Sequence, residues 1–306
     1  MRKTLIMALM RLLSALPLGV HYANAHFVGW MARCVVRYRT KIVWDNIRHA
    51  FPDKSEKEQK RIYKDFYLHF GQIVCETIWF GGSSGKRVRA SHIGELANPE
   101  EFRRLQNTCP NGTVVLYAHC GNWEVLGGFP FYNYKTDEVF LDNKTGIVVY
   151  KKVKDPVWNE IFEENRLHPL DTDDHSFYIE SSNFLRHVIS HKEDNRFYVF
   201  GTDQWPYYNA TSYTIVNFMH RKTRSMDAAA AIARKMHMGV TYLSIRRREG
   251  GKKYVYELKT IADDASTLSV QEIIDSYYKH IEEDIYADPG NYLWSHRRWH
   301  DTEDTR

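Results

Sequence analysis

Thr113-Val114-Val115-Leu116-Tyr117-Ala118-His119-Cys120-Gly121-Asn122-Trp123-Glu124 is the stretch on which the fold turns. Its first half is short, apolar and rich in β-branched residues, and Asn111-Gly112 bounds it upstream, the pattern of a buried strand. A strand hydrophobic throughout, without alternation, belongs in a sheet covered on both faces, and such sheets are mostly parallel. The second half breaks the pattern with a histidine, and Gly121-Asn122 supply the chemistry of a turn. Polar groups placed there stand beyond the carboxyl end of the strand, where open α/β sheets bind their ligands.

On either side, helix and strand signals alternate. Ser55-Glu56-Lys57-Glu58 is a capping box, and Ile62, Phe66, Phe70, Ile73 and Ile78 keep a helical stripe until Gly81-Gly82. Val139–Leu141 and Ile147–Tyr150 read as strands, Asp155–Arg166 and Asn183–His191 as helices, and Phe197–Phe200 as a strand. Ser225 is positioned to cap a helix running through Lys235. Val240–Ile245 and Tyr254–Leu258 follow as strands, and a capping box at Ser269–Glu272 opens a last helix that stops near Asp288-Pro289-Gly290. The order predicts an α/β fold with a mostly parallel mixed sheet flanked by helices, and places the residues after Ala118, Tyr150 and Phe200 at strand carboxyl ends.

The 306 residues suit one large domain, and no linker or repeat divides them. The net charge of +4 is modest but unevenly placed: Arg2, Lys3, Arg11, Arg33, Arg37, Arg39 and Lys41 all precede the first acidic residue, Asp45. A basic, acid-free terminus with apolar runs suits an anionic cytoplasmic membrane leaflet. Residues 1–40 are therefore expected to form an N-terminal membrane-anchoring or interfacial helix, bent near Pro17-Leu18-Gly19, and residues 41–306 a single α/β domain. A cleavable secretory signal is the competing reading, and Arg11 inside the apolar run speaks against it. No recognisable nucleic-acid motif accompanies the charge, so no nucleic-acid partner is expected. Cys34, Cys75, Cys109 and Cys120 show no metal-ligand spacing and read as reduced thiols; neither a metal nor a cofactor is expected.

His119 and Glu124 can form a base and its orienter: the imidazole takes a proton from a hydroxyl while a carboxylate holds the other ring nitrogen. Five residues on a continuous helix would put the two on different faces, so the pairing needs the Gly121-Asn122 turn. On spacing alone, a capping histidine beside a surface glutamate explains the pair as well. Cys120, next to the histidine, offers a covalent alternative, although adjacent side chains seldom face each other well enough for it.

Further motifs occur in order along the chain. These are Asn46-Ile47-Arg48-His49-Ala50-Phe51-Pro52, with Glu76 downstream; the H-x4-E box at His119 and Glu124; and Val149-Tyr150-Lys151-Lys152-Val153-Lys154-Asp155-Pro156, with Arg166 eleven residues beyond Asp155. Then come Phe200-Gly201-Thr202-Asp203-Gln204, Val216-Asn217-Phe218-Met219-His220-Arg221 and Asn291-Tyr292-Leu293-Trp294-Ser295-His296-Arg297-Arg298-Trp299. Together they resemble the lipid A late acyltransferases, the lauroyl and myristoyl transferases of bacterial endotoxin, a branch of the H-x4-D/E lysophospholipid acyltransferase-like enzymes. The resemblance implies an acyltransferase in which His119 is general base, Glu124 its orienter, and Arg166 and Asp203 complete the catalytic set. Asn122, Lys151, Gln204 and Arg221 are its implied substrate contacts. It further implies acyl carrier protein or acyl-CoA as donor, a lipid A precursor as acceptor, and a place at the bacterial inner membrane with the catalytic domain on the cytoplasmic side. The chain departs from the pattern at Lys151, where arginine is usual, and at Asn217 and His220, where proline and glycine are frequent. Two basic stretches, Lys86–Arg89 and Arg246–Lys253, are candidate docking surfaces for an acidic carrier or for lipid phosphates. Another lipid, glycolipid or pigment acceptor, or a membrane-bound assembly protein without catalysis, would also be compatible with this fold.

Overall fold

The computed structural model describes every residue except 1, 137, 143, 173, 207–209, 211, 249 and 306, and the side chain of 304. Helices α1 (Arg2–Ser14), α2 (Leu18–Trp30), α3 (Thr40–Ala50), α4 (Glu56–Phe80) and α5 (Gly85–Ser91) open the chain. Strand β1 (Gly94–Leu96), helix α6 (Pro99–Thr108), strands β2 (Thr113–Tyr117) and β3 (Gly146–Tyr150), and helix α7 (Pro156–Leu167) follow. Next come β4 (Tyr178–Glu180), α8 (Phe184–Ser190), β5 (Phe197–Gly201) and the hairpin β6 (Thr214–Phe218) with β7 (Arg221–Ser225). Helix α9 (Ala228–Lys235), strands β8 (Gly239–Arg247) and β9 (Tyr254–Ala262), and helix α10 (Val270–Ala287) complete the order.

Seven strands form one sheet in the order β1-β9-β8-β2-β5-β3-β4, parallel at every pairing except β8 with β9. The predicted mixed, mostly parallel sheet is therefore present. Strand β2 lies inside it, paired in parallel with both β5 and β8, and Thr113 through Leu116 are buried. Val114, Val115 and Leu116 contribute no exposed surface, which is why this strand carries no polar alternation. Both capping boxes form: Ser55 with Glu58 opens α4, and Ser269 with Glu272 opens α10.

Two expectations need correction. Residues 139–141 are not a strand; Leu141 adopts the left-handed backbone conformation (φ 52°), which breaks an extended run. Ser225 does not cap a helix but ends β7, and α9 starts only after Asp227. The β6–β7 hairpin carries no strand-like alternation strong enough to have been read in advance. It closes through Met219 and His220, both at positive φ, the geometry of a two-residue type I′ turn. A glycine at the position of His220 would adopt that backbone conformation without strain.

No single described helix is long and apolar enough to cross a membrane; α1 and the Leu18–Val35 segment have that length and apolar character only as a pair, bent by 117°. Helix α2 crosses α4 at close range. A Cβ on Gly29 would meet the Tyr67 carbonyl oxygen at 2.4 Å, and one on Gly71 would meet the Ala25 carbonyl oxygen at 2.2 Å. Helix α1 reaches α7 through Lys3, whose Nζ lies 2.8 Å from Glu160 and 2.5 Å from Glu164. Leu5, Leu9, Leu12, Phe27, Trp30 and Val36 nonetheless stay exposed.

Candidate active site

The first motif and the last meet in space. Asn46, buried on α3, donates through Nδ2 to the carbonyl oxygens of Trp294 (2.8 Å) and His296 (2.9 Å), and Arg39 donates to Ser295 O at 2.9 Å. The C-terminal segment so held runs beside the turn that follows β2. Gly121 N–H donates to Asn291 Oδ1 (3.0 Å), Leu293 N–H donates to His119 O (3.0 Å), and Cys120 forms an isolated antiparallel bridge with Tyr292. Gly121 takes φ 61°, and a Cβ there would lie 2.4 Å from Ile245 Cγ2, so the turn requires glycine on both grounds.

His119 stands immediately beyond β2 and Asp203 immediately beyond β5. Tyr117 pairs with Gly201 in the parallel register, so residues two further along each chain emerge side by side. His119 Nδ1 lies 2.6 Å from Asp203 Oδ1, and Gln204 Nε2 lies 3.2 Å from His119 Nε2. An amide nitrogen can only donate, so Nε2 accepts and Nδ1 carries the proton given to Asp203. Asp203 is almost fully buried, and burial alone would raise its pKa. The positive charge His119 carries when protonated, hydrogen bonds from it, and the charge of Arg298 outweigh that and hold the carboxyl below its ordinary value. Arg298, fully buried, is bound by the Thr223 hydroxyl, the Arg224 carbonyl (2.8 Å) and the Tyr278 hydroxyl. Trp123 packs its ring edge-on against the imidazole at 4.8 Å.

Glu124 does not hydrogen-bond to His119. Its two oxygens take the Arg166 guanidinium in a fork, Nε to Oε2 at 2.9 Å and Nη2 to Oε1 at 2.9 Å, and Trp123 Nε1 donates to Oε1 at 3.1 Å. The expected orienter therefore sits on the arginine, and Asp203 occupies the orienter's place on the ring. Burial disfavours the Arg166 charge, but Glu124 more than compensates and keeps the guanidinium firmly protonated. The eleven-residue spacing to Arg166 has a local cause: Asp155 caps α7 by accepting from Val157 N–H (2.9 Å), Pro156 takes the first helical position, and Arg166 falls in the last turn.

His119, Glu124, Arg166, Gln204 and Lys151 line one cleft of about 1160 Å³, with Tyr117, Val148, Val199 and Leu293 supplying apolar wall. Lys151, Lys152 and Lys154 are exposed along its edge, and Arg39 reaches it from the N-terminal segment. Two of the implied substrate contacts lie elsewhere. Asn122 is fully buried behind the turn, where its Oδ1 accepts from Glu124 N–H (3.1 Å); a side chain without exposed surface cannot touch a ligand in the cleft. Arg221 begins β7 and stacks on Trp299 at 6.0 Å, outside the residues that line the cleft. Tyr117, Trp123 and Arg39 belong to the site without having been singled out; only Trp123, inside the motif, carried a signal.

The residue ranges match the family model for bacterial lipid A biosynthesis acyltransferases from 2 to 301, nearly the whole chain. The chain belongs to that family. It is an acyltransferase enzyme of lipid A and lipopolysaccharide biosynthesis, a conclusion that rests on the family and not on the fold alone. No curated protein matches this acyltransferase closely.

Other expected features of the acyltransferase read differently in three dimensions. The thiol of Cys120 is buried and pushed well above its ordinary pKa by desolvation, which leaves little thiolate for a covalent route. All four cysteines are unpaired. The two basic stretches engage internal partners: Arg87 donates to Ser14 O (2.6 Å) and Leu16 O (2.7 Å), and Arg89 to Asn133 O (2.8 Å). Arg246 pairs with Glu257 (2.5 Å), Arg247 with Asp65 and Asp288, and Arg248 with Glu95 (3.1 Å). These five arginines are thus matched within the fold and are not unpaired cations of a docking patch.

Proposed function

We propose that the cleft moves a fatty-acyl group from a thioester, carried by acyl carrier protein or coenzyme A, onto a hydroxyl of a lipid A precursor. One observation carries this reading: the His119 imidazole is held through Nδ1 by buried Asp203, while the residue lines the cleft with Nε2 against Gln204, itself a lining residue. In that arrangement Nε2 takes the proton of the acceptor hydroxyl as its oxygen attacks the thioester carbonyl. Collapse of the tetrahedral intermediate breaks the carbon–sulfur bond, and the imidazolium returns the proton to the departing thiolate. Asp203 orients the ring and stabilises its cationic form. The amide of Gln204, at hydrogen-bond distance from Nε2, marks where that hydroxyl would sit. Glu124 fixes Arg166 as a charged wall of the same cleft, suited to a phosphate or to thioester oxygen. The lysines at the edge favour donors and acceptors bearing phosphate, as these all do.

The N-terminal pair of helices is read as the anchor to the cytoplasmic face of the inner membrane. Its exposed apolar side chains and its lack of acidic residues support that placement. Deleting the gene and recording mass spectra of extracted lipid A tests the whole reading. One secondary acyl chain should disappear, return with the wild-type gene, and stay absent with His119→Ala. An unchanged lipid A profile would direct the search to another lipid acceptor.

A further inference from the structure

Beneath the turn that carries Glu124 lies a carboxyl group with no part in the chemistry above. Glu76 projects from α4 and has no exposed surface. Its Oε2 accepts from Asn122 Nδ2 at 3.0 Å and from the Tyr254 hydroxyl at 2.7 Å. Tyr22, from α2, brings its hydroxyl against the same carboxyl. A lone buried acid is costly, and a packing role alone would be served better by an apolar side chain of similar volume.

The geometry gives this acid a specific task. Asn122 has two ends that differ only in which donates: Nδ2 faces Glu76, and Oδ1 accepts from Glu124 N–H. Turning the amide over would set its oxygen against the Glu76 oxygen and its NH2 against the Glu124 N–H. The acceptor at Glu76 is the nearer of two for Nδ2, the Ile73 carbonyl standing at 3.5 Å, so it contributes most on that side to the orientation of Asn122, which caps the 3-10 stretch Trp123–Phe131 at its first turn. That first turn carries both Trp123, which packs on His119, and Glu124, which grips Arg166.

We infer that Glu76 is a positioning residue of this acyltransferase: acting only through Asn122, it sets the turn that presents Trp123 and Glu124 to the cleft. The inference rests on the assignment of the cleft as the transfer site, and the two fail separately, since undiminished turnover by His119→Ala would sink the assignment whatever Glu76 does.

The test uses the full chain in detergent micelles with an acyl thioester donor and lipid A precursor, measuring kcat, KM and melting temperature for each variant. Glu76→Ala is expected to lower kcat by about tenfold or more with KM changed by less than about threefold, since misplaced groups lower turnover before they lower binding. Glu76→Gln keeps a carbonyl acceptor toward Asn122 and should stay within about threefold of wild type. The double variant Glu76→Ala with Asn122→Ala should be no slower than Asn122→Ala alone. Tyr254→Phe removes another hydrogen bond to the same carboxyl but leaves Asn122 held, and should retain kcat within about twofold. Should Glu76→Ala not fold, Glu76→Met, similar in length and lacking an acceptor, takes its place. The inference is overturned if Glu76→Gln is as slow as the apolar variant, if the double variant is additive, or if Tyr254→Phe loses kcat in step with melting temperature.

Discussion

Asp203 holds His119 Nδ1 at 2.6 Å because the two residues leave adjacent parallel strands at the same level, two positions beyond the Tyr117–Gly201 pair. Glu124, five residues from the histidine in sequence, faces Arg166 instead. The carboxylate against the imidazole is thus one 84 residues distant in sequence, and under the proposed mechanism the orienting role is its own. Asp203→Asn should therefore lower kcat by roughly a hundredfold to ten-thousandfold with KM little changed, because an asparagine favours the wrong ring tautomer. Glu124→Gln should lower kcat less than Asp203→Asn and raise KM more. Steady-state kinetics on both variants decides the ranking, and the reverse order would hand the orienter's role back to Glu124.

The Glu124–Arg166 fork is mostly sheltered from water, with side-chain exposures of 12% and 23%. Removing one partner leaves the other partly buried and unpaired. Arg166→Met should cost about 2 kcal/mol, below the range for fully buried pairs because solvent still reaches this one. Replacing both, with Glu124→Leu and Arg166→Met, should recover much of the melting temperature while transfer stays as low as in Arg166→Met. Recovery of activity along with stability would mean that the pair only braces the fold.

Much of this arrangement was legible in the residues, for reasons that are physical. The buried strand at Thr113–Tyr117 announced itself by an unbroken apolar run, and α4 and α10 by capping boxes whose two reciprocal bonds lie within four residues. The cleft position of His119 followed from its place just beyond a strand. What could not be read was which carboxylate faces the imidazole, because that depends on the register between β2 and β5 and on the turn at Gly121, neither of which has a local signature. Asn122 and Arg221 looked like ligand contacts because motif residues near a histidine are polar for two different reasons, touching substrate or satisfying buried backbone groups. Burial sets Asn122 apart, and position outside the cleft sets Arg221 apart.

Cys120 sits beside His119 in sequence but faces the interior, against the Asp284 and Tyr242 side of the sheet, and its thiol is raised by desolvation. Cys120→Ala should keep most of its turnover and lose about 1 kcal/mol of stability from the small cavity. Intact-mass measurement during turnover should show no acyl adduct on the protein. A trapped acyl-cysteine, or complete loss of activity in a folded Cys120→Ala protein, would restore the covalent route.

Glu76 also makes stability depend on pH. Desolvation raises its pKa to about 7, against hydrogen bonds from Asn122, Tyr254 and Tyr22 and the charge of Arg247, which act to lower it. The folded carboxyl thus holds its proton more tightly than the unfolded one. The stabilising contribution is complete at pH below the unfolded value, near 4.3, and is lost as pH rises through about 7. Glu76→Gln carries no such dependence. Its melting temperature relative to wild type should therefore improve steadily between about pH 5 and pH 8. A difference that stays flat across this range would show that the carboxyl is not protonated in the fold at the acid end.

The exposed apolar face of the N-terminal pair gives the last prediction. Leu5, Leu9 and Leu12 lie four and three residues apart on α1 and so share one side of the helix, and they are 72%, 55% and 71% exposed. Such a row in water has no compensation from packing, whereas immersion in a bilayer returns about 1.5–3 kcal/mol for each side chain fully buried. Arg11, Arg33 and Arg37 add attraction toward anionic headgroups, of about 1 kcal/mol per charge near the surface. Replacing the three leucines by glutamine should lower binding of the purified full chain to vesicles of phosphatidylethanolamine and phosphatidylglycerol by roughly a hundredfold or more. Co-sedimentation measures it. Added salt should weaken the remaining, charge-driven part, because surface attraction is screened over a Debye length. Transfer to a lipid acceptor dispersed in short-chain detergent should survive the substitution, since none of the three leucines lines the cleft. Vesicle binding that is unchanged by the triple substitution would place the membrane contact on another face of the protein.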